Sequence, residues 1–453
     1  TGSITGPGNV SKSGTSTLTF SGANTYLGGT TINNGWVNVG ALGSSALGSG
    51  SIVLNGGTLV GSGTGTVTFG TPINAAAAST STIEIDGTGA VGAINGNLTG
   101  TGAIVLASTN VTKLFDVGGS NAFFGGSVTV AGTQTIRLGA ASGSGLATWN
   151  LPAGGTISTN SGTTSSVTII PLGALNGVAT STLKGYNAGG TGGNTAYQLG
   201  DAGVNANFQG NIIDGLSGAT VRTVSIIKSG ATSTQTLSGS NSYTGVTQVN
   251  AGTLVLSQPN SWALSALTTA TPTATNGSIV NGGRLIFDYT GNVANSPATT
   301  VKNALTAGFA EATRFSTGLI RTGNVVDNNH GLGWTDDGST KVTVAYTYYG
   351  DADLNGSVNI ADFNTLAAHF ASSGTWQTGD FNYDGVVNLL DLNAVATNFG
   401  ATPVLSTLPS SIPLGALLSN NSPALGTLVP EPASLGMIAL GATALLRRRR
   451  RQS

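Results

Sequence analysis

Residues 21–40 return almost unchanged at 238–257, and that repetition constrains the fold more than any other feature. Ser21-Gly-Ala-Asn-Thr-Tyr-Leu-Gly-Gly-Thr-Thr-Ile-Asn-Asn-Gly-Trp-Val-Asn-Val-Gly40 aligns without gaps to Ser238-Gly-Ser-Asn-Ser-Tyr-Thr-Gly-Val-Thr-Gln-Val-Asn-Ala-Gly-Thr-Leu-Val-Leu-Ser257. Asn24/Asn241, Tyr26/Tyr243, Gly28/Gly245, Thr30/Thr247, Asn33/Asn250 and Gly35/Gly252 are identical. Val37/Leu254 and Val39/Leu256 preserve an alternating apolar face. A unit this short cannot bury its own apolar face, so it must stack on neighbours of the same kind. The rest of residues 1–270 has the same texture. Ser51-Ile-Val-Leu-Asn-Gly-Gly-Thr-Leu-Val60 and Gly126-Ser-Val-Thr-Val-Ala131 are short alternations bounded by Gly, Asn and Ser, which read as strands between turns. No long stretch has helical periodicity. A parallel β solenoid meets these conditions, and a Gly-rich β-sandwich is the competing architecture.

Composition supports stacking. Only 7% of the 453 residues are charged, and 71 are Gly. Low charge argues against ordinary disorder, which combines low hydrophobicity with high net charge. In a solenoid the low charge has a cause, since many side chains face a stacked neighbour. The net charge of −1 hides an asymmetry: without Arg447 to Arg451, eleven basic residues face 17 acidic ones. The body carries no basic stripe, so no nucleic-acid partner is expected. There are no cysteines, which excludes disulfides, thiolate metal sites and a cysteine nucleophile. The chain begins at Thr1 without a Met, a basic start or an apolar signal core, so any export signal is expected to lie outside this sequence or to have been removed.

The pattern S-G-x-N-x-Y-x-G-x-T-x-x-N-x-G followed by alternating apolar residues resembles the autotransporter-associated β-strand repeat. That resemblance implies a right-handed parallel β-helix in the passenger region of a surface protein. Residues 271–348 read differently. Arg284-Leu-Ile-Phe-Asp-Tyr289 and Val342-Thr-Val-Ala-Tyr-Thr-Tyr-Tyr349 look like strands, and Thr300 to Glu311 like a short helix. They are expected to form a β-rich cap over the last rung. Residues 401–429, rich in Pro, Ser, Leu and Asn, read as a linker.

Of 14 Asp in the chain, six fall between 351 and 391. Asp351-Ala-Asp-Leu-Asn-Gly-Ser-Val-Asn-Ile-Ala-Asp362 and Asp380-Phe-Asn-Tyr-Asp-Gly-Val-Val-Asn-Leu-Leu-Asp391 both fit an EF-hand loop. Calcium is a hard cation that takes six to eight oxygen ligands at about 2.3–2.6 Å. Asp351, Asp353 and Asn355 would supply side-chain oxygens in the first loop, Ser357 a carbonyl, Asn359 a water-mediated contact and Asp362 a bidentate closure. Asp380, Asn382, Asp384, Val386, Asn388 and Asp391 repeat these roles in the second, so two calcium ions are expected. Gly356 and Gly385 permit the sharp turn. Each loop leads into a helix-like run whose apolar positions share a face: Phe363, Leu366, Ala367 and Phe370 in one, Leu392, Val395, Ala396 and Phe399 in the other. About 50 residues bury too little apolar surface to fold unaided, so the ions are expected to stabilise residues 349–400.

Asp at the twelfth place, and the duplicated loop–helix without a full preceding helix, resemble the type I dockerin family. The resemblance implies docking to a cohesin. In that family the tenth and eleventh loop residues, often Ser-Thr, help choose the partner. Here they are Ile360-Ala361 and Leu389-Leu390, a departure from that pattern.

The end of the chain combines Pro430-Glu-Pro432, an uncharged run from Ala433 to Leu446, and Arg447 to Arg451. The run is short for a spanning helix, and the arginines would remain cytoplasmic. Residues 430–453 resemble the PEP-CTERM signal. This implies a C-terminal hydrophobic helix that holds the chain in the membrane until an exosortase-type enzyme cleaves near the motif.

No catalytic constellation is evident, so no catalytic residue is assigned. His330 and His369 are the two histidines, and neither lies near a Ser or Cys elbow. Glu84 and Asp86 share one strand face, an arrangement usual for solvated carboxylates. The expected function is an exported structural or adhesive protein of the bacterial cell surface or outer membrane, carrying a calcium-dependent docking module. Its partners would be a cohesin-like protein or an extracellular polysaccharide. The alternative is a carbohydrate-active β-helix enzyme, a lyase or hydrolase.

Overall fold

The computed structural model describes residues 2–86, 91–109, 114–139, 141–159, 167–186, 193–217, 220–257, 276–324 and 326–402. The sorting motif 430–432, the apolar run after it and nearly all of the expected linker lie outside the described residues. With 40% strand against 12% helix, the fold is mainly β.

The strands stack in parallel on three faces. On the first, Val10–Lys12, Thr30–Ile32, Ile52–Leu54, Ile73–Ala75 and Leu98–Gly100 lie side by side in chain order. A second face runs from Val67–Phe69 through Thr135–Leu138 to Asn211–Ile213. The third starts at Thr17–Thr19 and continues beyond Thr168–Gly177. There the stack changes cross-section, because Thr168–Gly177 pairs with both Thr195–Leu199 and Ala206–Phe208. Parallel pairing with a full circuit between partners rules out the antiparallel sandwich. It also makes each inward position a ladder. Val37 pairs with Leu59, Leu59 with Ile83, Ile83 with Leu106 and Leu106 with Val130, and all five are buried.

The consensus polar residues secure the corners. Asn24 accepts from the Ile4 amide (2.7 Å) and donates to the Ala46 carbonyl (2.6 Å). Asn121 does the same with Leu98 and Ser142, which marks a further, degenerate copy of the repeat. Tyr26 and Tyr243 are buried, and their hydroxyls pair with Thr30 and Thr247 four residues on (2.5 and 2.7 Å). Where the stack changes shape, the buried Gln235 both accepts from and donates to the Leu175 backbone. Such pairing is what buried backbone groups require.

Two lysines lie inside the corners. Lys228 is 0% exposed, and its ammonium donates to the carbonyls of Ser229, Gly230 (2.8 Å) and Ala251 (3.3 Å) and to Ser233 Oγ (3.0 Å). Lys12, its counterpart in the first copy, donates to the carbonyls of Ser13, Gly14 and Asn34. A Cβ on Gly35 or Gly252 would stand 2.7 Å from these ammonium nitrogens, so only glycine fits beside them. Burial pushes the Lys228 ammonium down to about 8, and Asp201 partly opposes this.

The parallel stack passes residue 270. Ser278–Val280 pairs with Thr247–Val249, and Arg284–Asp288 pairs with Thr253–Ser257. Arg284–Asp288 is also where direction changes. Its outer edge pairs antiparallel with Lys341–Tyr348, which forms a hairpin with His330–Asp336. Helix Ala298–Phe309 packs on this hairpin.

Candidate metal centre

Helices Ile360–Ala368 and Leu389–Asn398 begin at the ends of the two Asp-rich loops. Asn359 and Asn388, the ninth loop residues, are their N-caps, and each side chain accepts from a backbone amide two residues on (2.8 Å). The twelfth residues, Asp362 and Asp391, reach back to the cap amides at 2.9 and 3.0 Å, completing two capping boxes. Each loop end thus fixes its last carboxylate before any ion is considered. Of the expected apolar face, Leu366 and Val395 are buried and Phe363, Phe370 and Leu392 half-buried, whereas Phe399 is exposed.

Both loops turn in the same way. Gly356 and Gly385 have φ of 88° and 86°, the left-handed region that glycine tolerates. The fourth residues, Leu354 and Tyr383, also have positive φ, 58° and 60°, and their side chains are buried. In loop one, Asp351, Asp353 and Asp362 bring carboxylate oxygens within 4.8 Å of one another. Asp351 also accepts from the Asn355 and Gly356 amides and from the Thr347 hydroxyl. Loop two has Asn382 where loop one has Asp353, and among the described residues its carboxylates Asp380, Asp384 and Asp391 do not form such a group. Asp380 there is 2% exposed; its Oδ2 accepts from the Gly385 amide (3.0 Å), while its buried Oδ1 has no hydrogen-bond partner. The Asn388 amide group donates to both Asp384 Oδ2 and the Val386 carbonyl (3.3 Å each), two oxygens assigned to the ion by the loop pattern.

No ion pair among the described residues reaches these acids. Burial pushes the Asp351 carboxyl up to about 7. It pushes Asp380 up to about 6, with the Asp391 charge adding to the effect. Asp362 and Asp391 are raised by burial as well, against backbone hydrogen bonds that lower them. Buried carboxylates with no cation beside them, one carrying an unpartnered oxygen, are the donor set that a hard divalent cation suits.

The loops are not a separate body. Trp376, fully buried between them, donates its Nε1 hydrogen to the Asp351 carbonyl (2.7 Å) and packs edge-on against Phe381. Phe309 and Phe315 from the cap, with Tyr349 at its junction with the module, complete an aromatic cluster with Trp376 and Tyr383. The module therefore shares its core with the cap, which adds apolar burial that about 50 residues could not supply alone.

The remaining candidates are dispersed. His330 stacks on Tyr346 (5.6 Å between ring centres) and bonds Asp327, and the exposed His369 bonds the Thr365 carbonyl. Glu84 is half-buried, and burial followed by the Asp86 charge raises its carboxyl. Asp86 accepts from Thr109 Oγ1 at 2.7 Å. Among the described residues no helix is long and apolar enough to cross a membrane. Sequence reasoning missed Lys12 and Lys228, although Lys-Ser-Gly precedes both copies of the repeat. It also missed Trp376 as the joint between the loops and the cap.

Comparison with known proteins agrees with the two ends of this organisation. Residues 10–39 and 226–256 match the passenger-associated-transport-repeat, and residues 428–451 match the PEP-CTERM protein-sorting motif. The chain is similar to the adhesin BmaC autotransporter of Brucella suis biovar 1 (strain 1330). The two are 33% identical over 131 residues, which make up 27% of this chain and 4% of that protein. The chain thus spans a small fraction of the relative's length. No solved structure matches it. The sorting motif implies processing by an exosortase, and the chain is an exported cell-surface protein.

Proposed function

We propose that this is a structural or adhesive protein of the bacterial cell surface: a right-handed parallel β-helix whose C-terminal end carries a dockerin-like module holding two calcium ions. The adhesive reading rests on the stacked repeats and on the likeness to an autotransporter adhesin. The modular limits we adopt are a repeat region from residue 1 whose parallel stacking runs past 270 through Asp288, a cap that follows it to 348, the module at 349–400, the linker at 401–429 and the sorting tail at 430–453. Cleavage near Pro430-Glu431-Pro432 by an exosortase would free the body from its membrane helix.

Asp351, Asp353, Asn355, the Ser357 carbonyl and Asp362 would hold one ion, with Asn359 acting through water. Asp380, Asn382, Asp384, the Val386 carbonyl and Asp391 would hold the other, with Asn388 in the water-mediated role. The ion supplies positive charge that offsets the repulsion among the carboxylates. The observation that carries this reading is the buried, unpartnered Asp380 Oδ1 at the head of a loop whose Asp, Asn and Gly spacing matches that of its neighbour. Ile360, Leu389 and Leu390, at the recognition places of the family, are 61%, 68% and 66% exposed, which supports an apolar docking face for a cohesin-like protein. An extracellular polysaccharide is the other partner class that a surface rod would meet.

Equilibrium dialysis against labelled calcium should give two ions per chain, and Asp380→Asn should give one. Binding of neither ion by the intact chain would defeat the assignment. Cells displaying the chain should adhere to a surface that cells lacking it do not. Turnover of a polysaccharide by the purified chain would instead favour the carbohydrate-active enzyme.

A further inference from the structure

We infer that the two ion loops are a clasp on the end of the β-helix, so that filling them locks the last rung in place. This rests on the calcium reading above. The argument starts from what each loop touches besides its own acids. The carbonyl of Leu354, fourth in loop one, accepts from Arg284 Nη2 at 2.7 Å. Arg284 opens strand Arg284–Asp288, the last strand of its face to stack in parallel on the solenoid. The hydroxyl of Tyr383, fourth in loop two, donates to the Leu332 carbonyl at 2.5 Å. Leu332 lies in His330–Asp336, the outer strand of the capping hairpin. Equivalent places in the two loops therefore reach the two sides of the cap, one through a backbone carbonyl and one through a side-chain hydroxyl.

Both contacts depend on loop shape. Leu354 and Tyr383 sit at positive φ, a conformation that non-glycine residues hold only when their surroundings enforce it. The enforcing groups are the carboxylates that wrap the loop: Asp351 accepts from the Asn355 and Gly356 amides, and Asp380 from the Gly385 amide. Further bonds tie the same region to the hairpin. Thr347, in strand Lys341–Tyr348, donates to the Asp351 carboxylate, and Gln377 accepts from the Asp336 amide (2.6 Å). Trp376 lies against Gly333 so closely that a Cβ there would be 2.4 Å from its ring. Without a cation, crowded carboxylates push the loops away from this shape, and the bonds to Arg284 and Leu332 weaken with it. Linkage makes the effect mutual: an ion that favours the closed cap is itself bound more tightly when the cap is closed.

The test is hydrogen exchange on the full chain, in millimolar calcium and after chelation, read at amides 285–288 and 342–346. Bound calcium is counted by dialysis on the same samples. Calcium should slow exchange there by about tenfold or more. Tyr383→Phe and Arg284→Met keep every proposed ligand, so both should still bind two ions while showing a smaller calcium-dependent protection than the parent. Two bound ions with less than about a twofold change at these amides would overturn the clasp and leave the ion sites standing. No bound calcium would overturn the ion sites and the clasp together. Protection by calcium that is identical in the parent and both variants would overturn the route through Leu354 and Tyr383.

Discussion

Replacing Lys228 by methionine keeps most of the apolar stem and removes a single ammonium from the inside of the solenoid. The ammonium satisfies the carbonyls of Ser229, Gly230 and Ala251 together with Ser233 Oγ. Ser233 Oγ keeps a partner after the substitution, because it donates to the Gly200 carbonyl at 2.6 Å. The Gly230 carbonyl keeps a long contact from Ser233 Oγ (3.4 Å), whereas the Ser229 and Ala251 carbonyls, if left buried and unpaired, would each cost about 1–3 kcal/mol. Methionine also escapes the desolvation of a buried charge, a saving of several kcal/mol before relaxation. The net loss is therefore below the upper end of the sum, on the order of 2–4 kcal/mol. A long stack need not unfold in one step, so the loss is best read locally. The amide of Asn250 donates to the Lys228 carbonyl at 2.8 Å and lies in the rung above. Its hydrogen exchange should accelerate by about 30-fold or more, since about 1.4 kcal/mol is a factor of ten. Lys302→Met on the exposed side of helix Ala298–Phe309 serves as the control and should change local stability by less than about 0.5 kcal/mol. An acceleration below threefold for Lys228→Met would show that the hydrogen bonds only offset the cost of burying the charge, and the account of the corner would fail.

In calcium-free protein the cap should lose stability as pH rises. Asp351 and Asp380 are acids whose folded values are raised, to about 7 and about 6, above the ordinary 3.8. Proton binding thus favours the folded form fully below about 4, and that contribution disappears as pH climbs through 6 and 7. Thermal melts of the dialysed chain between pH 4 and 8 should show the decline, and a flat profile would refute it; added calcium should reverse the trend at the upper end. Asp362→Asn and Asp391→Asn should each lower calcium affinity at least as much as Asp351→Asn, because each would remove the proposed bidentate closure; isothermal titration checks the order. Mass spectrometry of protein taken from its native surface should lack Arg447 to Arg451, and an intact arginine run on mature protein would count against processing at the motif.

The sequence disclosed the repeat because inward positions must match from rung to rung. Val37, Val39, Leu254 and Leu256 are all fully buried, as the alternation requires. It disclosed the two Asp-rich loops because oxygen-bearing residues and a Gly recur at the same spacing in both. Polar devices at the corners were harder to see. Asn121 performs the task of Asn24, yet Phe123 stands where Tyr26 stood and is exposed, while the next residue, Phe124, is buried. A one-residue shift of the aromatic hides the third copy from a gapless comparison. Lys12 and Lys228 were overlooked for another reason: a lysine is ordinarily read as surface, and only the ring of carbonyls assembled by two successive rungs makes its burial tolerable. The joint between module and cap left no local signal, since Phe309 is far in sequence from Tyr383 and Trp376 and reaches their cluster only when the chain reverses.

That reversal explains why the module sits where it does. A parallel stack ends in a strand whose outer edge offers unpaired amides and carbonyls to any other chain. Here Lys341–Tyr348 turns antiparallel and covers the edge of Arg284–Asp288, and His330–Asp336 covers Lys341–Tyr348 in turn. Each added strand transfers the open edge outward without removing it. The edge stops being a hazard only where a non-strand element lies across it. Trp376–Thr378 packs on His330–Asp336, with Gln377 accepting from the Asp336 amide and Tyr383 donating to the Leu332 carbonyl. Two edge groups are thereby satisfied by the region of the two acidic loops itself. A rod closed in this way has an end whose protection is tied to the shape of two acidic loops, so calcium removal should expose this end before any other rung. Limited proteolysis with and without chelator would then give first cuts within 326–349. First cuts in the repeat region instead would show that the loops are passengers on a cap already closed without them.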